Sequence, residues 1–131
     1  MNTEVMRNTL EKSEAGQQTF PEVIRALSSI GVESYHADFV RREDTFYMAN
    51  GETHVEKMQV PDVAIAEEFA EELLVATIRA VQADQIRYPA FVPRAMAAGT
   101  TGYWVYLTGK KVVYLGRKGE SHVEHFPGAK S

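Results

Sequence analysis

The chain has 131 residues, 44% of them hydrophobic, with a formal net charge of −4, which suits one domain over residues 1–131 with a conventional core. It contains no cysteine, so disulfides, thiolate nucleophiles and thiolate-bound zinc or iron–sulfur centres are excluded. No run approaches the roughly 18 apolar residues of a membrane span, and the polar start Met1 to Arg7 has no apolar secretory region; a soluble, cytoplasmic protein is expected, with no membrane partner.

The first helix is expected over Thr3 to Gln17, where Val5, Met6 and Leu10 make a narrow apolar stripe suited to the surface. Thr19-Phe20-Pro21-Glu22 has the form of a capping box with proline in the first turn. Val23, Ile24, Leu27 and Ile30 follow at helical spacing, and Gly31 is placed to end the helix. The period then changes to two: Tyr35, Ala37 and Phe39 alternate with His36 and Asp38 in a first strand. Arg42-Glu43-Asp44 is expected as a charged turn, Thr45 to Met48 as a second strand, Asn50-Gly51 as a tight hairpin turn, and Thr53 to Glu56 as a third strand.

A long helix is expected over Val63 to Gln85, with Ile65, Phe69, Leu73, Leu74, Ile78 and Val81 on a wide apolar arc. Tyr88-Pro89 through Gly99 then reads as a short helix in which Pro93 belongs in or near the first turn, because an interior proline costs about 3 kcal/mol. Gly51-Glu52-Thr53-His54-Val55-Glu56 returns as Gly119-Glu120-Ser121-His122-Val123-Glu124, and the same offset carries Phe20-Pro21 onto Tyr88-Pro89, Gly31 onto Gly99 and Tyr35 onto Tyr103. The chain is therefore expected to hold two copies of one α-α-β-β-β unit, about residues 1–60 and 61–131. Lys111 to Leu115 is matched to the second strand one residue out of step, pairing Tyr114 with Tyr47 and implying compensating changes in turn length. The expected class is α+β: antiparallel strands, helices on one face, and a pseudo-twofold axis between the copies.

Strand phase assigns His36, Asp38, Trp104, Tyr106, His54, Glu56, His122 and Glu124 to the face away from the helices, with Val55 and Val123 directed to the core. Two His-x-Glu pairs on one face invite a zinc or iron site, but cross-strand pairing explains them without a metal, and no metal or cofactor is assigned. Trp104 and Tyr106, replacing His36 and Asp38 at matching positions, are the main candidates for contact with a small ligand, a second subunit or the end of a helix. Residues 1–86 hold 7 Lys and Arg against 16 Asp and Glu, whereas residues 87–131 hold 7 against 2. The basic turn residues Lys110, Lys111, Arg117 and Lys118 are expected to be solvated, and no nucleic-acid motif accompanies them.

Nucleophile-elbow, phosphate-loop, dinucleotide-binding and zinc-protease motifs are all missing, and no catalytic residue is assigned. The features fit a non-catalytic binding or interaction domain that uses the aromatic and polar sheet face, with a homodimer or small ligand as partner. One alternative is a small-molecule sensor or enzyme with a pocket between the copies, using His54, Glu56, His122 and Glu124; another is a phage-linked regulator.

At Thr19-Phe20-Pro21-Glu22-Val23, Gly31 to Asp38 and Gly51-Glu52-Thr53-His54 the chain resembles the YbcV/YdfO-like group of small bacterial and prophage proteins of unknown function, often labelled "phage envelope protein". The resemblance runs the full length. It implies a compact α+β protein in a bacterial, prophage-linked context, and no reaction, cofactor or catalytic residue.

Overall fold

Two helices followed by a three-stranded meander occur twice in the computed structural model, which describes residues 1–127. The first set is α1 (Thr3–Glu14), α2 (Phe20–Ser28), β1 (Val32–Asp38), β2 (Glu43–Met48) and β3 (Thr53–Lys57). The second is α3 (Glu71–Gln82), α4 (Tyr88–Ala97), β4 (Thr100–Tyr106), β5 (Lys111–Gly116) and β6 (Ser121–His125). The six strands form one antiparallel sheet in the order β3-β2-β1-β4-β5-β6. The molecule is α+β, as expected, with its helices packed on one sheet face.

All five element pairs begin at the same offset of sixty-eight residues that carries His54 onto His122. Register and backbone repeat with it: Thr45 pairs with His36 and Val113 with Trp104, and the left-handed residues Arg42 and Gly51 recur as Lys110 and Gly119. No turn has changed length. The out-of-step match of Tyr47 with Tyr114 is thus corrected: Phe46 is the counterpart of Tyr114, both buried, and Tyr47 that of Leu115. Aromatic similarity favoured the wrong alignment, but strand phase decides it, because a one-residue slip would reverse both faces. Across the central β1–β4 ladder His36 lies opposite Trp104. These two are counterparts, so the pseudo-twofold axis passes between them.

The helical stripes explain the core. Met6, Thr9, Leu10 and Ser13 are buried along α1, and Leu74, Thr77 and Ile78 occupy matching places on α3. The expectation of a surface-lying α1 is corrected: small Thr9 and Ser13 complete an i, i+3, i+4, i+7 face that apolar residues alone understate. Burying Met6 and Leu74 completely contributes about 1.5–3 kcal/mol each. The Thr19–Glu22 capping box forms, with the Thr19 backbone N–H donating to Glu22 Oε1 at 2.9 Å.

Several local expectations are corrected: α1 ends at Glu14 and α3 at Gln82, each three residues early. Residues 63–70 are not helical; Ala66 and Ala70 donate backbone hydrogen bonds to the Met96 and Ala98 carbonyls at 3.0 and 2.8 Å, strapping the linker across the end of α4. Gly99 is needed there, with φ of 88° and the Glu68 carbonyl 2.2 Å from where a Cβ would stand. Pro93 lies inside α4; the carbonyl it leaves without a donor is that of Pro89 in the exposed first turn. β2 begins at Glu43, so Glu43 and Asp44 belong to the strand and not to a turn.

Candidate functional site

Side chains facing away from the helices form a continuous row across six strands: Val55, Thr45, His36, Trp104, Val113 and Val123, each paired with the next. At its centre the His36 and Trp104 rings stack at 4.6 Å and 5°. Tyr106 stacks on Trp104 at 5.9 Å, and Tyr47 approaches it at 5.4 Å. What rests on Trp104 is its own pseudo-symmetric counterpart and, among the described residues, no helix end. Burial lowers the His36 pKa below its ordinary value, opposed by the nearby Asp38 carboxylate. Asp38 Oδ1 accepts the Val40 and Arg41 backbone N–H groups, each at 3.0 Å, closing the β1–β2 turn.

The other four expected residues are on the opposite face. His54 pairs with Phe46 and Glu56 with Asp44, while His122 pairs with Tyr114 and Glu124 with Val112. Paired residues share a face, so these side chains lie on the helix side. Val55 and Val123, expected in the core, are 49% and 44% exposed. At the sheet edges the helices bring charge against the strands: Glu56 binds His54 and Arg7, and Glu124 binds His122 and Arg79. His122 also contacts Glu71 at 2.9 Å. Burial disfavours its charged form, but hydrogen bonds to the Glu124 and Glu71 carboxylates outweigh this and raise its pKa. The two pairs occupy outer strands five strand spacings apart, roughly 24 Å. They cannot share a metal or a pocket. Two of the basic turn residues are tied to the linker: Lys118 pairs with Glu68, and Arg117 donates to the Ile65 carbonyl, both at 3.0 Å.

Between the helix layer and the central strands lies a cavity of about 340 Å³, within the roughly 300–1,000 Å³ range of small-molecule pockets. Its wall includes Tyr35, Phe46, Tyr88, Phe91, Tyr103 and Tyr114, and it reaches the exposed residues Pro21, Gln82 and His125. The aromatic rings pack against one another, Tyr103–Tyr114 at 5.6 Å and Phe91–Tyr103 at 6.3 Å. The Tyr103 hydroxyl donates to that of Tyr88 at 3.0 Å.

Into this wall β2 places Asp44, only 4% exposed. Its Oδ1 has no hydrogen-bond partner among the described residues. Burial, then the nearby Glu14 carboxylate, pushes its pKa up to about 8. Gln18 Oε1, also on the wall, is likewise buried without a partner. An unsatisfied buried polar group costs about 1–3 kcal/mol, and natural folds keep few of them without a use.

The chain belongs to the DUF1398 family. The matching model covers residues 2–124 and is described as a protein of unknown function. That range contains both helix pairs and the cavity's sheet wall through Glu124. No curated protein matches the chain, so family membership brings no reaction to the site.

Sequence inspection missed the cavity because Asp44 resembles an ordinary turn acid between Glu43 and Thr45. A usable signal was present: at the uniform offset Asp44 is the counterpart of Val112, a buried apolar residue. The out-of-step match of β2 with β5 concealed it.

Proposed function

We propose that the protein binds a small organic molecule, without catalysis, in the cavity between the sheet and the helices. Asp44 carries this proposal: a buried carboxylate oxygen without a partner, on the wall of an aromatic cavity large enough for a ligand. The pocket alternative raised by the sequence is thereby retained with largely different residues: His54, Glu56 and His122 lie outside this cavity, and Glu124, which lines it, is held by Arg79 and His122. A fragment library screened by methyl NMR tests it. Hits are expected to perturb Leu27, Ile78 and Val112, which line the cavity; a library that perturbs none of these methyls overturns the proposal.

A second role, self-association through the open face, is supported by the row from Val55 to Val123 and by half-buried Trp104, Tyr47 and Tyr106. Sedimentation showing a monomer at all accessible concentrations would refute it. A prophage-linked setting in the YbcV/YdfO-like group belongs to the same proposal and is supported by the sequence resemblance; a cytoplasmic setting is supported by the polar start Met1 to Arg7 and the lack of a long apolar run. No helix among the described residues is long and apolar enough to cross a membrane.

A further inference from the structure

Asp44 Oδ1 and Gln18 Oε1 are the cavity's unpartnered oxygens among the described residues. Once Asp44 is ionised both can only accept, so a molecule that completes that form of the site must bring donors. Its charges are also unequal. Arg87 is paired with Asp84 at 2.7 Å, and Glu124 with Arg79 at 2.6 Å. Glu14 accepts the Gln59 backbone N–H. Among the described residues Asp44 has no such counter-charge. Around it stand Tyr35, Tyr88 and Tyr103, each close enough to feel its charge, and Phe46 two residues along the same strand face.

Aromatic faces carry negative electrostatic potential and attract cations, by about 2 kcal/mol or more where water is excluded. A buried carboxylate adds the ion pair. The combination disfavours anions, gives neutral apolar molecules no means of satisfying the two oxygens, and suits a positive group with N–H donors on an apolar body. We propose that the ligand is a protonated organic amine whose ammonium group is held by Asp44 and whose carbon skeleton fills the aromatic part of the cavity. This rests on the proposal that the cavity binds a small molecule.

Proton linkage separates this from its nearest competitor. In the empty site Asp44 is largely protonated at neutral pH. It must lose that proton to pair with an ammonium group, so amine affinity rises with pH until Asp44 is ionised on its own. A neutral alcohol accepting a hydrogen bond from the protonated carboxyl would show the reverse. The other titratable groups around Asp44 are Glu14 on α1, Tyr35 on β1, Glu56 on β3, Tyr88 on α4, Tyr103 on β4 and Tyr114 on β5; Asp84, Arg87, and Glu124 and His125 of β6 also line the cavity. The tyrosines are held above their ordinary range by burial, and Glu56 is held low by His54 and Arg7 against the effect of its burial. Glu14 is raised by burial and can add a second, acid-side step. From α2 and α3 the wall takes Phe20, Val23, Leu27, Ile78, Val81 and Gln82, none of which titrates.

The test is calorimetric titration of the intact protein with 3-phenylpropylamine and its neutral counterpart 3-phenylpropan-1-ol between pH 6 and 9. The amine stays charged throughout, since alkylammonium groups titrate near about 10. Its affinity should rise about tenfold per pH unit, levelling near about 8. Asp44→Asn should weaken amine binding at pH 8.5 by about ten- to a hundredfold and leave the alcohol within about threefold, with folding checked by circular dichroism. Equal amine affinity for wild type and Asp44→Asn, or a flat pH profile, overturns the amine assignment while cavity binding stands. If neither compound binds, both the assignment and this use of the cavity fall; should Asp44→Asn not fold, the wild-type pH profile decides alone.

Discussion

The two halves share a backbone and differ in what they put into the cavity. Copy one supplies Ser13, Gln18 and Asp44; at the matching positions copy two supplies Val81, Ile86 and Val112. Their structural residues agree closely: Met6 with Leu74, Thr9 with Thr77, Gly31 with Gly99, and Tyr35 with Tyr103. Architecture needs the same stripe, turn and stop twice. A ligand site needs one polar end, and repetition of the fold does not supply it.

Making the halves alike at this point should have the largest effect. The raised pKa of Asp44 means the folded state prefers the protonated acid, so its contribution is fully present below the unfolded value of 3.8 and lost as pH rises through about 8. Asp44→Val should therefore stabilise the protein by roughly 2–5 kcal/mol at pH 9 and by little at pH 4, as read by urea denaturation at both pH values. An equal gain at both would mean that burial does not hold the carboxyl in its protonated form.

A backbone difference comes next. Gly102 replaces Ser34, and a Cβ on it would stand 2.4 Å from the Ala37 carbonyl across the central ladder. Gly102→Ala should cost about 3 kcal/mol, whereas Ser34→Ala should stay within about 0.5 kcal/mol. Comparable denaturation midpoints for the two variants would show that the central strands are not held so closely.

Smaller effects distinguish the sheet edges. His122 contacts both Glu124 and Glu71, while at the other edge Thr3 stands where Glu71 would be. Its raised pKa makes the contribution fully present below 6.5, its ordinary value, and lost as pH rises through the higher folded value. His122→Gln should cost up to about 1 kcal/mol at pH 5.5 and less at pH 8.5. The smallest signal is optical. Trp104 is the chain's single tryptophan, and protonating the stacked His36 should quench its fluorescence with a midpoint below 6.5. His36→Gln should abolish that transition; its persistence would place the quencher elsewhere.

The repeat made the fold legible. A shared offset at turn glycines and strand aromatics predicted helices on one face and a pseudo-twofold, because those residues answer to local backbone geometry. Edge strands were misjudged for a physical reason: alternation in Thr53 to Glu56 assumes that the buried side is apolar, but Arg7 and Arg79 make the helix side of β3 and β6 the place where carboxylates are paired. The linker misled similarly. Ile65 and Phe69 have helical spacing yet lie in a non-helical strap that Gly99 lets pass close to the end of α4. Burial of a single acid depends on every element that surrounds it, and no local pattern around Asp44 announces that.

Asp44 is a buried carboxyl whose Oδ1 has no partner among the described residues, and burial holds its proton. Carbon-13 NMR titration of its side-chain carboxyl measures this directly. A midpoint near about 8 in the free protein, falling when 3-phenylpropylamine saturates the site, is the predicted result. A midpoint near the ordinary 3.8 of an aspartate, unchanged by the amine, would contradict it.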